Sequence, residues 1–143
     1  MNLTQWKTQF ELALCIKLQT THEHVKNEEL LRFDIGIFPW FGSIELSFLF
    51  AKDQCHFDDI ASWPHYNFGN FNEGFWPEAL SLCKDMEQAY KSDRDAAELF
   101  FCAAADVIRL PSVEKAIALY DRERSFEITI FNSDENNSKN YYV

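Results

Sequence analysis

The chain has 143 residues, 47% hydrophobic and 16% aromatic, with a formal net charge of −10. That length fits one domain with a sizeable core, and that apolar content excludes intrinsic disorder for most of it. The charge argues against a nucleic-acid-binding face, which needs clustered Lys and Arg, and against anionic membrane surfaces, while it favours a cationic partner.

Residues 3–22 are expected to form a helix, because Leu3, Trp6, Phe10, Ala13 and Leu14 recur at helical spacing. Asn2 is placed to cap it, with Gln5 three residues on. Thr20–Glu29 is polar and reads as a connection. Residues 31–38 and 44–50 then alternate. Phe33, Ile35 and Ile37 oppose Arg32, Asp34 and Gly36; Ile44, Leu46, Phe48 and Phe50 oppose Glu45 and Ser47. Such alternation marks half-buried strands. Pro39–Ser43 between them predicts a β-hairpin with a longer loop. Leu49 and Phe38 interrupt the polar faces, so partial cover of the second face is expected.

From Lys52 to Gly74 periodicity disappears and turn formers accumulate, with Asp58–Trp63 as one short helical turn. Pro77 suits the first position of a helix running to Lys91, with Ala79, Leu82, Cys83 and Met86 on its apolar stripe. Ser92 or Asp93 caps the next helix, whose centre from Leu99 to Ala105 is apolar all round, as in buried helices. Pro111 is expected to end that helix, and Ser112 to cap a short one carrying Val113, Ala116, Ile117 and Tyr120. Phe126, Ile128 and Ile130 form a last strand, paired with the hairpin, and residues 132–143 read as a polar, frayed tail. Segregated helices and strands predict an α+β domain over residues 1–131, with an antiparallel sheet of about three or more strands on about four helices.

Not one Lys or Arg lies between Lys52 and Lys84, whereas Asp53, Asp58, Asp59, Glu73 and Glu78 do. Phe57, Trp63, Tyr66, Phe68, Phe71, Phe75 and Trp76 fall in the same span. At least half of these rings are expected to turn inward, since burying each stabilises by roughly 1.5–3 kcal/mol. The remainder, beside the carboxylates, would form a docking surface. Tyr and Trp dominate interface hot spots, and carboxylates select a basic partner. Asp58, Asp59, Trp63, Tyr66 and Glu73 are the candidate binding residues, with Trp40 at the hairpin tip as an outlier.

Catalytic motifs are missing. Four glycines cannot assemble a phosphate cradle, and no residue is assigned a catalytic role, a metal or a cofactor. A small metal-dependent hydrolase is the alternative. Cys55, His56, His65 and Asp58 or Asp59 carry ligand chemistry, though without the paired spacing of zinc sites. Cys55 and His56 are sequence neighbours, which rarely face each other as nucleophile and base. A structural domain that associates with itself as a homo-oligomer is the third reading. Cys15, Cys55, Cys83 and Cys102 form no C-x-x-C pair, and the first residues lack a basic region followed by an apolar run. Free thiols, no signal peptide and a cytoplasmic location are therefore expected. No stretch reaches the ~20 apolar residues of a membrane span.

Phe33–Gly42, Asp59–Trp63 and Tyr66–Phe68 resemble segments of small uncharacterised bacterial α+β families associated with polymorphic toxin systems, in which they serve as cytosolic immunity proteins. The resemblance covers residues 30–80 and carries over no catalytic residue. It implies one role, neutralising a toxin by binding it. An acidic protein suits a basic toxin such as a nuclease, whose substrate site is itself positive.

Overall fold

The computed structural model describes all residues, Met1–Val143. In chain order the elements are α1 (Leu3–Val25), β1 (Glu29–Phe38), β2 (Ser43–Phe50), α2 (Leu80–Ser92), α3 (Ala96–Ile108), α4 (Pro111–Ile117) and β3 (Asp121–Thr129). Short 3₁₀ turns at Ile60–Ser62, Phe71–Glu73 and Pro77–Ala79 punctuate the long segment between β2 and α2. The α+β class, the four helices and the three strands are those that the patterning predicts. No helix is long and apolar enough to cross a membrane.

The sheet has the order β2-β1-β3. β1 and β2 form the expected antiparallel hairpin, from Phe38↔Ser43 back to Leu30↔Phe50. Gly42 closes its tip at φ +62°, where a Cβ would meet Glu87 Cβ at 3.0 Å. β3 departs from expectation: it runs parallel to β1, so the sheet is mixed rather than antiparallel. Parallel neighbours need a long crossover, and α2, α3 and α4 supply it by returning the chain to the starting end of β1. Glu29 accordingly pairs with Asp121.

Phe33, Ile35, Ile37, Ile44, Leu46, Phe48 and Phe50 on one sheet face join buried residues of all four helices in a single core. Asn2 Oδ1 accepts the Gln5 amide at 3.2 Å and caps α1 as its spacing predicts. The helix continues past residue 22 because Val25 is buried one heptad after Leu18. Trp6 Nε1 donates to Leu82 O at 3.1 Å and fastens α1 to α2. Pro111 opens α4 instead of closing α3, with Leu110 as the N-cap residue. Its missing N–H costs nothing in a first turn, where the donor would have no helical partner.

Residues 140–142 are not frayed. Asn140 Oδ1 accepts the Ile130 amide and its Nδ2 donates to Ile128 O, both at 2.9 Å. Tyr141 packs its ring 5.1 Å from that of Phe101 and donates to Glu98 at 2.7 Å. The end of the chain thus closes over the last residues of β3, and the independent polar tail is corrected to a short exposed loop with a docked end.

Candidate functional site

The second face of the sheet is built by the alternate residues. Asp34, Gly36 and Phe38 on β1 lie beside Glu45 and Ser47 on β2, in the register Asp34↔Ser47 and Gly36↔Glu45. The segment after β2 folds back over this face. Phe48 N donates to His65 O at 3.2 Å and Phe68 N to Leu46 O at 2.8 Å, so residues 65–68 also cover the free edge of β2. Asn67 N donates to Ser47 Oγ at 2.9 Å. Phe68 stacks on Phe48 with centroids 4.3 Å apart. Trp63, only 3% exposed, donates Nε1 to His56 O at 3.3 Å and holds the loop closed beneath itself.

A cleft of about 200 Å³ remains between loop and sheet, lined by Asp34, Glu45, Tyr66, Phe38, Ile60 and Phe131 among others. Asp34 forms its floor at 6% exposure. Burial pushes its carboxyl up to about 7; the hydrogen bond from Thr129 opposes the shift and the nearby Glu45 charge adds to it. Thr129 Oγ1 donates to Asp34 Oδ1 at 2.6 Å. Tyr66 donates its hydroxyl to Glu45 Oε1, and Ser43 Oγ donates to Glu45 Oε2 at 3.0 Å. The Glu45 bond, with burial behind it, raises the Tyr66 phenol to about 12. At neutral pH Tyr66 is therefore a donor.

Asp58 and Asp59 are exposed, and the residues that follow them, Ile60 and Ala61, line the cleft. Asp59 Oδ2 accepts Ser62 Oγ at 2.6 Å, while Asp58 Oδ2 lies 3.8 Å from His56 Nδ1. Tyr66 is 41% exposed at the same cleft. Tyr66 lines the cleft; Asp58 and Asp59 do not, although the two residues after them do. Trp63 is corrected from a docking ring to an interior anchor, because a ring of that size stabilises the loop more by burial than it would by waiting at the surface. Glu73 is exposed in the Phe71–Glu73 turn and does not line the cleft. Trp40 is half-buried, its ring 6.3 Å from Tyr90 and 6.4 Å from Phe101, so it packs the hairpin tip onto α2 and α3. Of the other rings in the segment, Trp76 is buried, Phe68 and Phe71 pack partly on the core, and Phe57 and Phe75 are 53% and 63% exposed. Phe57 lies under the Arg32 guanidinium at 5.6 Å.

The residues named for a hydrolase metal are not brought together. No three His, Cys, Asp or Glu side chains are close enough to share an ion. Cys55 Sγ donates to Ser62 O at 3.6 Å, and the His65 ring meets Phe50 edge-on at 4.9 Å.

Asp34 and Glu45 escape a reading by strand alternation, which assigns carboxylates on a strand to solvent. The available signal was Phe38 and Leu49 on the same face, which requires that face to be covered. Comparison with protein-family models, with curated proteins and with solved structures returned no match.

Proposed function

We propose that this protein is a non-enzymatic, cytosolic binding protein of the immunity type, which neutralises a basic partner by covering its cationic site. One observation carries the reading: Asp58 and Asp59 are exposed and Tyr66 lines an acidic cleft, all on a segment without a single Lys or Arg before Lys84. A net charge of −10 attracts a positive protein over long range. Tyr66 and Phe57 then offer apolar area at close range, as interface anchors do. A toxin such as a nuclease fits as the partner, since its substrate site must be positive to hold phosphates. Occlusion requires no chemistry from this chain, only a surface fixed in advance. Trp63 and the 65–68 pairing with β2 fix it, which lowers the ordering cost of docking.

The test is the affinity for the basic protein that the chain captures from its native cells, measured with Asp58→Asn and Asp59→Asn combined. A loss of about tenfold or more is expected for two carboxylates facing a positive site. Unchanged affinity would contradict the reading.

A further inference from the structure

The cleft holds two carboxyls and no cation. Asp34 is 6% exposed, and Thr129 engages only its Oδ1; no other donor in the protein reaches the carboxyl. Glu45 is served by neutral groups alone, Tyr66 and Ser43. No Lys, Arg or His lines the cleft. Arg32, two residues before Asp34 on β1, is turned elsewhere: it donates to Leu31 O and Ser125 O and pairs with Glu127 at 3.6 Å. A buried carboxylate without a countercharge is costly, and such groups are normally paired or protonated. The walls are of another kind, since Phe38, Ile60, Ala61 and Phe131 are apolar. An acidic floor behind apolar walls matches a long cationic side chain, which lays its stem on apolar surface and projects a charged head.

We propose that this cleft receives the ammonium head of one lysine side chain of the basic partner, with Asp34 and Glu45 as its acceptors. The inference rests on the docking role proposed above and names the group that enters the site. Acceptor geometry selects lysine over arginine. A guanidinium asks for two parallel oxygens of one carboxylate. Here Asp34 has one oxygen free, and each oxygen of Glu45 already accepts one bond, which leaves single, separate acceptor positions rather than a free parallel pair. An ammonium has three diverging donors and takes separate acceptors: Asp34 Oδ2, Glu45 and the Tyr66 oxygen. Entry of the ammonium displaces the proton from Asp34 to solvent, so one cation enters as one proton leaves.

Carbon-detected NMR of the full chain at pH 6 tests this, with n-butylammonium as the probe and sodium at equal ionic strength as the control. The side-chain carboxyl resonances of Asp34 and Glu45 are expected to shift saturably at millimolar probe, and butylguanidinium to bind about fivefold more weakly or worse. Asp34→Asn and Glu45→Gln are each expected to weaken binding about tenfold. Glu45→Gln serves as a second reporter should Asp34→Asn disturb the fold. Absence of a saturable shift, preference for butylguanidinium, or full binding by both cleft variants would overturn the proposal. If the probe fails while partner capture still depends on Asp58 and Asp59, the cleft assignment alone falls. If the probe binds and capture is indifferent to those residues, the docking role falls and the amine site stands.

Discussion

Replacing Asp34 with Asn is expected to stabilise the protein above pH 7 and to leave it nearly unchanged at pH 4. In the folded chain the Asp34 carboxyl is raised from 3.8 to about 7, chiefly by burial. Between those values the native state holds a proton that the unfolded chain has released. Stability contributed by that proton is complete below the unfolded value, falls as pH rises, and is gone once pH passes the folded value. At about 1.4 kcal/mol for each tenfold in proton affinity, the whole fall is on the order of 4 kcal/mol. Asn keeps the size of Asp, still accepts the Thr129 hydroxyl and carries no charge to bury. Urea unfolding of both proteins from pH 4 to pH 8 measures the effect. The difference between the two curves isolates Asp34, because the other titrating groups are common to both. Parallel curves would show that the Asp34 carboxyl is not held up by burial.

Trp76→Ala is expected to cost about 3–5 kcal/mol, the range for removing a large ring from a packed core. Trp76 is fully buried and donates Nε1 to Ala13 O at 3.0 Å. Its ring fills the place where a side chain on Gly69 would sit, with Cε3 2.9 Å from that Cβ position. The residue therefore ties the end of the irregular segment to α1, and its loss leaves a cavity and removes that tie. Phe75, its neighbour, is 63% exposed. Phe75→Ala should cost less than about 1 kcal/mol, as surface substitutions do. Denaturation midpoints compare the two directly. Equal effects would mean that the division of rings between interior and surface is wrong.

That division is where the sequence stops being informative. Phe75 and Trp76 are adjacent and equally apolar, and nothing in a segment without periodicity tells which one faces the core. The same holds for Trp63 and Tyr66. In periodic stretches the chain is far more legible. Leu3, Trp6, Phe10 and Leu14 define α1, and Phe33, Ile35 and Ile37 define the inner face of β1, because spacing alone assigns a face. Alternation in 126–130 finds β3 but carries no information about direction, since parallel and antiparallel partners accept the same pattern; the crossover decides it. Pro111 is ambiguous for a related reason, as a proline both ends one helix and begins another. The polar tail hides its docking because Asn140 acts through backbone hydrogen bonds, which hydropathy does not register. Of the residues that line the cleft, Tyr66 was singled out by ring content. Asp34 was not, because a single carboxylate in an alternating strand looks solvated until a covering segment is placed over it.

The rate at which the purified, captured partner associates with this protein, followed by stopped flow in rising salt, tests the electrostatic docking role most directly. The rate is expected to fall steeply as salt rises, by about tenfold or more between low and physiological ionic strength. The combined Asp58→Asn, Asp59→Asn variant should start slower and show a shallower slope. A rate indifferent to salt, and equal in the two proteins, would contradict an acidic face that recruits a basic partner.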